Sequence, residues 1–109
     1  SDGLFLREVR KMAKEYPDVE LDEKIVDAMA ALLVRNPTQF DCIVTGNMFG
    51  DILSDEASEI SGSLGLAGSV NAGDNACCAQ AQHGSAPDIQ GQDKANPISL
   101  MLSAGMLLE

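Results

Sequence analysis

The 109-residue chain has no tryptophan, one tyrosine and three phenylalanines. Without large aromatics its core must rest on Leu, Ile, Val, Met and Ala. Positive charge is almost as scarce beyond the first third. Residues 1–35 carry six of the seven basic side chains against eight acids, while residues 36–109 carry one lysine, Lys94, against nine acids. A chain of net charge −10 with no basic stripe repels phosphate backbones, which excludes nucleic acid as a partner. The same charge argues against adhesion to an anionic membrane, and no apolar run reaches the length of a membrane span. The three cysteines are Cys42, inside an apolar run, and the adjacent pair Cys77-Cys78. No Cys-x-x-Cys or His-spaced pattern exists, so neither a zinc site nor a disulfide framework is indicated. An odd count fits a reducing compartment, and a cytoplasmic location is expected.

The length is enough for one modest core, and 45% hydrophobic and 22% charged residues are ordinary for a folded globular protein. Ser1-Asp2 is placed to cap a helix with Phe5, Val9, Met12, Ala13 and Tyr16 at helical spacing, closed by Pro17. Val19–Leu21 alternates as a short strand would. Asp22 then opens a second helix with Ile25, Met29, Leu32 and Leu33 on one face, ending at Asn36-Pro37. The run Phe40–Thr45 reads as a buried strand bounded by Pro37 and Gly46. A third helix is expected from about Phe49 to Ile60. Glycines then cluster between Gly62 and Gly91, with strands expected near Gly68–Val70 and Cys77–Ala81. Asn96-Pro97 opens a last helix through Leu100, Met101, Ala104 and Leu107. This order favours an α/β fold. The change of texture near Ser61-Gly62 predicts a crossing between two bodies, and the abrupt start predicts a segment of a larger protein.

Two stretches carry chemistry. Gly46–Ser58 places Asp51 and Asp55 four residues apart, so a helix sets both on one face. Paired oxygen donors on a rigid element suit a hard cation such as Mg²⁺ or Mn²⁺. Acids near a helix start also occur simply because the helix dipole favours them, and then they face water. Asp27 has the same plain reading in the first turn of its helix. The second stretch, His83-Gly-Ser-Ala-Pro-Asp-Ile89, is a turn rich in backbone donors, of the kind that grips a nucleotide. Standing alone, His83 is more often a hydrogen-bonded structural residue, and Asn96 serves equally well as a helix cap.

Together, in this order and at this spacing, Asn47–Ser58, His83–Ile89 and Ala95-Asn-Pro97 resemble the isocitrate/isopropylmalate dehydrogenase family of metal-dependent, decarboxylating, nicotinamide-linked enzymes. The resemblance runs over nearly the whole chain and implies a segment of the two-domain isopropylmalate dehydrogenase-like fold. Residues 1–61 would then be part of the metal-binding and dimerisation domain, and residues 62–109 part of the NAD-binding domain. It implies Asp51 and Asp55 in a Mg²⁺ or Mn²⁺ site, with Asp27 reaching across a two-fold interface to complete the site of the partner subunit in a homodimer. It implies His83, Gly84, Ser85, Ala86, Asp88, Ile89 and Asn96 at the cofactor, with His83 and Asn96 on the adenine side. A carboxylate at the position of Asp88 accepts hydrogen bonds from the ribose hydroxyls and repels a 2′-phosphate, which favours NAD over NADP. The sequence departs from the family at Gly46 and Gln80, where relatives commonly carry Glu. It also departs at Ala81, where they carry Pro, and in Leu66–Gly73, which lacks a proline common in that turn.

The expected activity is NAD-dependent oxidative decarboxylation of a 3-carboxy-2-hydroxy acid, with 3-isopropylmalate or isocitrate foremost. The family's Lys and Tyr acid–base pair is expected upstream of Ser1, so no catalytic residue is assigned within these residues and the isolated segment is expected to be inactive. The alternative is a non-catalytic truncated relative or dimerisation module, whose helices around Asp27 and Asp51 pack against a partner.

Overall fold

The computed structural model describes residues 2–108. Its helices are α1 (Asp2–Ala13), α2 (Val26–Arg35), α3 (Asn47–Ser61) and α4 (Ile98–Leu107), and its strands are β1 (Gly68–Ala72) and β2 (Cys77–Ala81). Single 3-10 turns occupy Pro37–Gln39, Leu64–Leu66 and Pro87–Ile89. Two compact units, Ser1–Leu53 and Ser54–Glu109, meet within α3 in sequence. The expected cap at Ser1 lies outside the described residues.

In the first unit, α1 half-buries Leu6, Val9 and Ala13, which recur at helical spacing, while Phe5, Met12 and Tyr16 stay exposed. Beyond the helix, Arg10 donates through Nε and Nη2 to the two carboxylate oxygens of Glu23, at 2.6 and 2.7 Å. This fork raises the Arg10 pKa and lowers that of Glu23, in each case chiefly through the hydrogen bond itself. Asp22 does not open α2, as the spacing suggested; it is paired with Lys24 instead, which lowers its pKa, and the helix begins four residues later. The unit's core is small. Met29 and Leu33 of α2 bury against Leu53, with Val26, Ala30 and Phe40 packed around them. Each such side chain contributes roughly 1.5–3 kcal/mol when fully buried.

The strands expected at Val19–Leu21 and Phe40–Thr45 do not form. Ile43 and Val44 are 40% and 66% exposed, and the β-branched run joins no ladder. A strand exists only where a neighbour takes up its N–H and C=O groups. Among the described residues the one ladder joins β1 and β2.

In the second unit, α3 is closed by Gly62, whose N–H reaches Glu59 O at 3.1 Å and whose φ of 131° disfavours a side chain. β1 and β2 form an antiparallel hairpin in the register Gly68↔Ala81 to Ala72↔Cys77. Helix α4 lies on this hairpin. It approaches closely because Gly68 lacks a Cβ, which would sit 2.8 Å from Met106 Sδ. The side turned to the hairpin is not the apolar line expected from Leu100, Met101 and Leu107, all of which are exposed. It is Ser99 and Ser103, both fully buried. Ser99 Oγ donates to Ala67 O at 2.5 Å and accepts Gln82 N–H at 3.2 Å. Ser103 Oγ accepts Ser69 N–H at 2.9 Å and offers its proton to Gln80 O and Ser99 O. Hydroxyls win these positions because backbone groups at the edges of a two-stranded hairpin would otherwise be buried unpaired. No described helix is long and apolar enough to cross a membrane.

Candidate functional site

The hairpin ends at Ala81, and the chain after it folds into an open groove of about 700 Å³ in the second unit. Of the residues expected at a cofactor, His83, Gly84, Ser85, Ala86, Ile89 and Asn96 all line it. Gly84 faces open space, since a Cβ there would meet nothing within 4 Å. Ala86 holds a left-handed conformation, φ 40° and ψ 62°, which turns the chain into the Pro87–Ile89 turn. Asp93, also on the groove, has φ 53°. These are the non-glycine residues of positive φ among those described, and both face the same groove. Strained backbone of this kind costs about 1–3 kcal/mol and gathers at ligand-holding loops.

His83 Nδ1 lies 2.9 Å from Gly84 O. A carbonyl only accepts, so Nδ1 donates in this contact, and Nε2 is the ring nitrogen left for other partners. Asn96 Oδ1 accepts the N–H of Ile98 at 3.0 Å, so its cap role and its place on the groove coexist. Asp88 stands apart. It is exposed in the Pro87–Ile89 turn, its carbonyl accepts from Gln92 Nε2 at 2.8 Å, and it is not among the lining residues. Sequence reasoning missed Lys94, which lines the groove and makes no ion pair among the described residues. Its signal was available as the lone cation of residues 36–109.

The acids are placed by two helices. Asp27 sits in the first turn of α2, exposed, its Oδ1 accepting Ala28 N–H at 2.7 Å. Asp51 and Asp55 are exposed on α3, four residues apart. Among the described residues no three His, Cys, Asp or Glu side chains gather closely enough to hold a metal ion. Asp51 belongs to the first unit and Asp55 to the second, and each presents a carboxylate, the donor type a hard cation takes. Cys42, Cys77 and Cys78 are free and exposed.

The family model for isocitrate/isopropylmalate dehydrogenase matches residues 1–109. A 3-isopropylmalate dehydrogenase of Wolinella succinogenes is 55% identical over 105 residues, covering 96% of this chain and 29% of that protein. A protein of Rickettsia bellii named isocitrate dehydrogenase [NADP] is 52% identical over 108 residues, covering 99% of this chain and 22% of its own length. Among solved structures, isocitrate dehydrogenase from Methylococcus capsulatus superposes with a TM-score of 0.94 at 49% identity, over 97% of this chain and 31% of that one. The chain thus spans less than a third of the length of these relatives.

Proposed function

Since the chain belongs to the isocitrate/isopropylmalate dehydrogenase family, we propose that it is the metal-binding and adenosine-binding segment of an NAD-dependent, decarboxylating 2-hydroxy-acid dehydrogenase. The observation that carries this reading is the groove, where six of the residues expected at a dinucleotide line one surface. His83, with Nδ1 engaged by Gly84 O, has Nε2 left for the adenine side. The backbone at Gly84 faces open space, which suits close approach by a ligand. Lys94 adds a positive charge suited to a phosphate. Asp88 favours NAD by repelling a 2′-phosphate.

The substrate is a 3-carboxy-2-hydroxy acid, either 3-isopropylmalate or isocitrate, matching the names of the similar proteins. Asp51 and Asp55 would hold Mg²⁺ or Mn²⁺ together with Asp27 of a second subunit, which makes the active form a homodimer. Such an ion supplies Lewis-acid polarisation of the substrate's hydroxyl and carbonyl oxygens. This chain's own part is to present charged oxygen donors and to hold the dinucleotide. Residues 1–61 serve the metal and dimer side, and residues 62–109 the NAD side. A cytoplasmic location suits three exposed free thiols. Without an acid–base pair, which typically contributes 10²–10⁴-fold, the segment alone does not turn over.

The test is turnover of the complete protein with NAD and Mg²⁺ against isopropylmalate, isocitrate, homoisocitrate, tartrate and malate. NADH formation with one of the first three supports the reading. Silence with all five in a folded dimer would favour a non-catalytic relative.

A further inference from the structure

Gln82 stands between the end of β2 and the first residue of the groove, and it is held at two points. Its backbone N–H is taken by Ser99 Oγ at 3.2 Å, and its side-chain Nε2 donates to Ser58 Oγ at 3.2 Å. Ser58 lies in the last turns of α3 and is buried, 5% exposed. Its own proton is committed, because Oγ donates to Ser54 O at 2.7 Å. The remaining lone pairs are fixed in direction and can only accept, which makes Ser58 a rigid anchor for an amide N–H.

The location gives this bond its consequence. One wall of the groove includes Ser63 and Gly65, which follow directly from α3. The other begins at His83 and Gly84, which follow directly from Gln82. The Ser58–Gln82 bond therefore joins the two stems from which the walls arise. We propose that Gln82 is a positioning residue for the dinucleotide, tying the end of α3 to the His83 loop through Ser58 and so fixing the width of the groove. This rests on the reading of the groove as a dinucleotide site. It assigns a role to a residue that is not itself among those lining the groove.

The experiment is a fluorescence titration of the complete protein with NADH, in the wild type, Gln82→Leu, Ser58→Ala and the double variant, with melting temperatures measured alongside. Either single change removes the same hydrogen bond. Each is expected to raise the Kd for NADH about fivefold, about 1 kcal/mol, and the double variant no further than either alone. In turnover the loss falls on the KM for the dinucleotide and not on kcat. Unchanged Kd values with lowered melting temperatures would overturn the proposal and leave the bond a purely structural one. Independent, multiplying effects in the double variant would overturn it as well. Should Ser58→Ala fail to fold, Gln82→Leu carries the test alone, because Gln82 is only half-buried. A wild-type protein that does not bind NADH would instead overturn the dinucleotide reading, and this proposal with it.

Discussion

The side-chain oxygen of Asn96 accepts the backbone N–H of Ile98 at 3.0 Å, at the mouth of the groove and at the start of α4. Pro97 between them has near-helical angles, and its carbonyl accepts Met101 N–H at 3.1 Å. Asn96 thus acts as the cap, with its amide nitrogen not used by that bond. Asn96→Ala is expected to cost about 1 kcal/mol of stability and to weaken NADH binding. Asn96→Ser, whose hydroxyl also caps, should restore the urea midpoint but not the affinity. Recovery of both would reduce Asn96 to a cap.

Asp51→Asn should abolish metal-dependent activity in the complete protein, lowering kcat/KM by about 10²-fold or more, because a neutral amide does not replace a charged ligand. The effect should lessen as Mn²⁺ or Mg²⁺ is raised. A variant with normal activity and normal metal affinity would make Asp51 a solvated acid on α3.

Cofactor choice separates Asp88 from Lys94. Removing the Asp88 carboxylate should lower the ratio of kcat/KM for NAD to that for NADP, since the 2′-phosphate no longer faces a negative charge. Lys94→Ala should weaken both cofactors about equally, by about two- to fivefold as exposed charges do, and less at high salt. A ratio unmoved by Asp88→Ala would mean that the carboxylate does not face the ribose.

The Arg10–Glu23 fork gives a pH dependence of known sign. Arg10 lowers the Glu23 pKa, so the pair's stabilisation is present above the ordinary carboxylate range and is lost as pH falls through the lowered value. Both groups are exposed, so the contribution is small and screened by salt. Wild type should exceed Glu23→Gln in urea midpoint near neutrality, and the gap should close in acid. A gap independent of pH would assign the effect to packing.

How much of this was legible in the sequence depends on the range of the forces involved. Helix α3, the hairpin strands and the start of α4 follow from local signals: the spacing of apolar residues, short runs set among glycines, and Asn96-Pro97 as a start. Phe40–Thr45 misled because a strand's partner is not written in the strand itself. The helix α4 was legible, but which of its sides packs was not. Leu100 and Met101 carry the apolar signal, but the hairpin's unpaired backbone groups called for Ser99 and Ser103. The groove was readable as the continuous segment His83–Ile89 with Asn96. The Ser58–Gln82 bond joins residues 24 apart and left no pattern to find.

The central claim is that residues 83–96 hold a dinucleotide, and amide hydrogen exchange of the complete protein with and without NADH tests it most directly. Slowed exchange at His83–Ala86 and Lys94–Asn96 is expected when NADH and Mg²⁺ are present. Exchange in those segments that does not change, while NADH binding is demonstrated by titration, would place the cofactor elsewhere and contradict it.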